Sequence, residues 1–154
     1  MAVTLPVGNI ISRAEGLIEV TKKALEIGIK EIKPGKQIGD ISRIIQKYVE
    51  GRGLNVVREL CGHGIGRELH EDPQILNSVS MSKETVDKVK FQGEAKIKLK
   101  EGMVFCLEPM IVAGDWRIRK SKDGFSYETR DGSLSAHFEH TIAVTKNGYQ
   151  VLTI

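Results

Sequence analysis

The sequence predicts an α+β fold in which a helical hairpin packs on an antiparallel-leaning, curved sheet. Three observations carry this. Apolar residues recur at helical spacing between Leu17 and Val49. β-prone runs separated by glycine-bearing turns fill the chain from Met103 onward. Helices come first and strands second, rather than alternating, which is the α+β order.

Each element has its own signal. Ser12 and Glu15 stand at capping-box spacing, and Leu17, Val20, Ala24, Ile27 and Ile32 recur at helical intervals after them. Lys33-Pro34-Gly35 stops this helix, because proline cannot continue it and glycine turns cheaply. A second helix, from about Gly39 or Asp40, carries the stripe Ile41, Ile44, Ile45, Tyr48 and Val49 and ends at Gly51-Arg52-Gly53. The short turn between the two makes an αα-hairpin. Asn55–Arg58 is a short β-prone run, and Gly62-His63-Gly64-Ile65-Gly66 reads as a glycine loop. Later strands are expected at Met103–Val112, Trp116–Arg119, Phe125–Thr129, His137–Thr145 and Tyr149–Leu152, with turns at Gly114, Gly124, Gly132 and Gly148. Residues 78–98 are polar, charged and aperiodic, and read as a long inserted loop within a single domain, 1–154.

Composition excludes several function classes. At 154 residues the chain is long enough to bury a core without disulfides or a structural metal. Its 23 basic and 20 acidic residues give a net charge of +3 with no like-charge block, which does not point to nucleic acid. No apolar run approaches the roughly 20 residues of a membrane span, and MAVTLPVGNI lacks the basic flank of a signal peptide. The cysteines, Cys61 and Cys106, form no CxxC pair and fit a reducing cytoplasm.

The chemistry is concentrated in a few residues. The histidines fall in two clusters, His63 with His70 and His137 with His140. Glycines on both sides of His63 let a ligand approach closely. Glu108 and Glu139 lie in otherwise apolar runs, where a carboxylate is costly unless it is paired or binds a metal. Strand alternation points Glu139 with His137 and Thr141, opposite His140. Taken singly, a histidine in a glycine loop is a structural residue or a cap, and a strand glutamate pairs with arginine. Together, one imidazole and two carboxylates form a ligand set suited to zinc, manganese, iron or cobalt. The residues by themselves leave the structural and metal-binding readings both open.

Three blocks resemble a known family. Cys61-Gly-His-Gly-Ile-Gly-Arg-Glu-Leu-His-Glu-Asp-Pro73, Leu99-Lys-Glu-Gly-Met-Val-Phe-Cys-Leu-Glu-Pro-Met110 and Asp131-Gly-Ser-Leu-Ser-Ala-His-Phe-Glu-His-Thr-Ile-Ala-Val-Thr145 resemble the type I methionine aminopeptidases. The helical segment Leu17–Arg58 is similar to them too. Phe138-Glu139-His140-Thr141 favours that branch over the proline-specific peptidases, which share the glycine loop.

The resemblance implies the C-terminal half of a pita-bread (creatinase/aminopeptidase) fold and a metal-dependent removal of N-terminal methionine from nascent proteins. It implies His63, Glu108 and Glu139 as metal ligands, with His70 on the scissile amide and Glu108 moving protons to the leaving amine. Leu69 and Phe125 fall where the family places aromatic walls of the methionine pocket, so both are departures. The family's N-terminal half, with two aspartate ligands, has no counterpart here. The expectations are therefore at most one divalent ion (cobalt, manganese, iron or zinc) per chain, impaired turnover, and a partner that is a second copy or the missing half. The alternative is a non-catalytic peptide-binding or interaction module.

Overall fold

The computed structural model describes residues 1–79 and 93–153. Residues 80–92, the middle of the expected inserted loop, lie outside the described residues; its far end is a helical turn at 93–96. The helical hairpin is α1 (Ser12–Lys30) and α2 (Ile38–Glu50). The strands are β1 (Asn55–Val56), β2 (Gly62–Gly64), β3 (Glu71–Ile75), β4 (Val104–Leu107), β5 (Met110–Val112), β6 (Ile118–Lys120), β7 (Tyr127–Thr129), β8 (Ser135–His137), β9 (His140–Thr145) and β10 (Gly148–Val151). Pairing is antiparallel throughout these strands, in the orders β10-β9-β4-β2-β3, β1-β5-β8 and β6-β7.

The expected strands Met103–Val112 and His137–Thr145 each break in two. Pro109 has no N–H to give a ladder, so the first run stops at Leu107 and resumes at Met110. Its partner breaks alongside, because Leu107 faces His140 in the larger sheet and Met110 faces His137 in the smaller one. A single ribbon thus bends from one sheet into the other, with Glu108 and Glu139 at the bend. The glycine loop is also corrected: Gly62–Gly64 is the strand β2, seated between β3 and β4 with a bulge at His63/Gly64.

Helix boundaries shift for local reasons. Ser12 is the first residue of α1 rather than its cap, and Ile11 at the N-cap makes no side-chain bond. The helix ends at Lys30, ahead of the Pro34 stop. The capping contact occurs instead on α2, where Asp40 accepts a hydrogen bond from the Gln37 N–H at 3.0 Å. Aspartate there also complements the helix dipole.

The core lies between the hairpin and the bent ribbon, with Leu17, Leu25, Ile38, Ile41, Ile45, Val49, Phe105, Leu107, Ile111 and Ile142 buried together. Gly28 lets α1 approach closely: a Cβ there would stand 2.7 Å from Ile45 Cδ1 and 3.0 Å from Leu107 Cδ2. Ile45, fully buried, therefore couples both helices to β4. Ile45→Ala is expected to cost about 2–5 kcal/mol, the range for truncating a packed core isoleucine. Urea unfolding should show a lower midpoint at an unchanged slope.

Asp131 ties the loop before β8 to the loop after β5. Its carboxylate accepts from the Asp115 N–H at 2.7 Å and from the Ser133 N–H at 3.0 Å. The bond from the Asp115 amide, reinforced by Ser133, holds its pKa down to about 2. A depressed carboxylate contributes order above its unfolded pKa of 3.8 and loses it as pH falls through the folded value. The Asp115 and Ser133 amide resonances should titrate with a midpoint near pH 2, and Asp131→Asn should flatten both curves.

Candidate metal centre

The ribbon bend collects carboxylates and imidazoles at one point. Glu108 follows β4 directly, and its carbonyl accepts from Asn77 Nδ2 at 3.0 Å. Glu139 precedes β9 and is held through its backbone by Ala2, whose carbonyl accepts the Glu139 N–H at 2.9 Å. His63 stands in β2 opposite Cys106 of β4. His137 ends β8, where the Thr4 hydroxyl accepts from its N–H and donates to its C=O, both at 2.9 Å. Every one of these backbones is pinned by a bond distant in sequence.

Glu108 lies between two imidazoles. Its Oε1 is 3.5 Å from His63 Nε2, and its Oε2 is 3.4 Å from His137 Nε2. Glu108, His137 and Glu139 each offer a donor atom within 4.8 Å of the other two. Spacings of 3.4–3.5 Å are long for hydrogen bonds, which peak below about 3.2 Å. They match the edge between neighbouring ligands of a tetrahedral ion, about 3.3–3.4 Å for bonds of roughly 2.0–2.1 Å. The donor set therefore fits a divalent cation of borderline hardness.

The surroundings support that fit. His63 Nδ1 lies 2.9 Å from the Gly64 carbonyl, which can only accept, so Nδ1 carries the proton and Nε2 presents its lone pair. Burial pushes the Cys106 thiol up, keeping it neutral and favouring Glu and His as donors. The Met1 amino group stands 3.4 Å from Glu139 Oε1.

An open cleft of about 780 Å³ lies over this point, lined by His63, Leu69, His70, Glu108, Glu139 and Met110 among others. The His70 ring lies against that of His63, tilted by 54° with centroids 4.2 Å apart. His63, His70, Glu108, Glu139 and Leu69 are thus brought together. Phe125 lies apart, 90% exposed beside the β6–β7 hairpin and outside the residues lining this cleft. Sequence reasoning did not assign His137 as a ligand; the signal was the alternation that points it with Glu139. A second cavity of about 330 Å³ is lined by Thr4, Met110, Tyr127, Ala136 and His137 among others.

Residues 1–146 match the metallopeptidase family M24. A methionine aminopeptidase of Salmonella typhimurium is 47% identical over 148 residues, 96% of this chain but 52% of that protein. The chain thus spans about half the length of the curated relatives it matches. The crystal structure of a methionine aminopeptidase from Thermotoga maritima superposes with a TM-score of 0.86 at 46% identity, over 98% of this chain and 56% of that one. A prolidase from Pyrococcus furiosus, at 22% identity and a TM-score of 0.70 over 97% of this chain and 35% of its own, shares the fold alone. These neighbours place the described architecture in the pita-bread fold. Among the described residues, no helix is long and apolar enough to cross a membrane.

Proposed function

This chain belongs to metallopeptidase family M24, and on that premise we propose that it forms the metal-binding half of an aminopeptidase removing N-terminal methionine. The observation that carries this reading is Glu108, set between imidazoles and beside Glu139 on the floor of a cleft that can admit a peptide end. His63, Glu108 and Glu139 would hold one divalent ion per chain, cobalt, manganese, iron or zinc, whose charge the two carboxylates balance. When bound, such an ion polarises a scissile carbonyl and acidifies water.

The chain's own residues do the rest. Glu108, with one oxygen toward each imidazole, moves a proton from the attacking water to the leaving amine. His70 donates a hydrogen bond to the scissile amide. Leu69, which lines the cleft, forms one wall of the methionine pocket.

Val3, Leu5 and Val7 are exposed, and a second copy of the chain or a complementary N-terminal half would cover them. Cys61 and Cys106, which form no CxxC pair, fit a reducing cytoplasm.

The test is cleavage of a Met-Ala-Ser peptide with added zinc. The chain alone should turn over orders of magnitude more slowly than a full-length relative, since it spans about half of that relative's length. Adding the N-terminal half of the Salmonella enzyme should raise the rate. A chain that binds zinc yet cleaves nothing in either arm is a binding module instead. Sedimentation at micromolar concentration decides between a self-associated pair and a monomer awaiting the other half.

A further inference from the structure

We propose that His137 is a metal ligand, completing with Glu108 and Glu139 a cation site built wholly from the ribbon bend. The inference rests on the metallopeptidase reading and goes beyond the His63, Glu108 and Glu139 set. Four observations converge on it. His137 Nε2 stands 3.4 Å from Glu108 Oε2, the ligand-to-ligand edge of a tetrahedral ion. His137, rather than His63, shares the 4.8 Å grouping with both carboxylates. The His137 side chain is 36% exposed, yet its Nε2 is sealed from solvent and has no hydrogen-bond partner among the described residues. A sealed nitrogen of that kind is costly unless something takes it up. Finally, Thr4 grips the His137 backbone on both its N–H and its C=O, so the ring is carried on a fixed support.

The chemistry is simple to balance. Two carboxylates neutralise a dication, and a neutral imidazole adds the nitrogen donor that zinc or cobalt favours over magnesium or calcium. The three donors of the bend leave a fourth position, which His63 of the proposed set takes from beside the other oxygen of Glu108.

The experiment is titration of the purified 154-residue chain with zinc, followed by calorimetry and by side-chain ¹H–¹⁵N spectra of the histidines. In the wild-type chain the His137 Nε2 resonance should move to the metal-bound position on saturation. His137→Gln should weaken binding about 100-fold or more, above the 10–100-fold cost of disturbing an outer partner. The spectra on the unaltered chain keep the test valid if the variant folds poorly. If His137 stays unshifted and His137→Gln binds like wild type, while Glu108→Gln abolishes binding, the inference falls and the metallopeptidase reading stands. If wild type and Glu108→Gln are both indifferent to zinc, both fall.

Discussion

Gly62→Ala is expected to leave little folded protein. Gly62 sits in β2 with β3 on one side and β4 on the other. An ideal Cβ at this position would overlap the Cys106 carbonyl oxygen, well inside van der Waals contact, and stand 3.2 Å from Ile75 Cβ. Neither obstacle is the tip of a flexible side chain, so relief requires moving β2 off β4. That movement breaks the pairing that holds His63 opposite Cys106 and exposes Phe105 and Ile75, both buried. Overpacking alone costs about 1–3 kcal/mol, and loss of the central ladder should carry the total beyond about 4 kcal/mol, an exceptional value for one residue. Circular dichroism and urea titration check it. A cooperative transition within 1 kcal/mol of wild type, about one factor of five in the folding equilibrium, would show that β2 can shift freely.

Glu108→Gln is expected to remove cation binding while leaving the fold. Both His63 and His137 approach the Glu108 carboxylate, so its charge serves either candidate ligand set. The amide retains size and one acceptor oxygen but supplies no charge to a dication. Wild-type protein with zinc at 100 times its dissociation constant should gain about 2.7 kcal/mol of stability, and the variant close to none. Thermal unfolding with and without zinc, plus a metal-free control, reads this directly. Equal stabilisation of both proteins would mean that the ion binds elsewhere.

Much of this was legible in the residues because it depended on near neighbours. The apolar stripes of α1 and α2 follow from a period that a single helix imposes on itself. Pro34 marks the turn between the two arms for reasons internal to its ring, although α1 already stops at Lys30. Glu108 and Glu139 stand out by being charged in apolar surroundings, and His63 by its flanking glycines. Three motif blocks then pointed to a family, which the 47% identical relative bears out.

Other features exist only through contacts between distant parts of the chain. Gly62–Gly64 has a loop's composition yet is a strand, because β3 and β4 supply its partners and need glycine for their close approach. The break at Pro109 was visible as a proline, but its consequence was not: the partner strand bends beside it only because Leu107 faces His140 and Met110 faces His137. That register carries the His137 ring to Glu108. Alternation along one strand settles which side chains share a face. Which face meets which across a bend is decided by long-range backbone hydrogen bonds, and no local period encodes them.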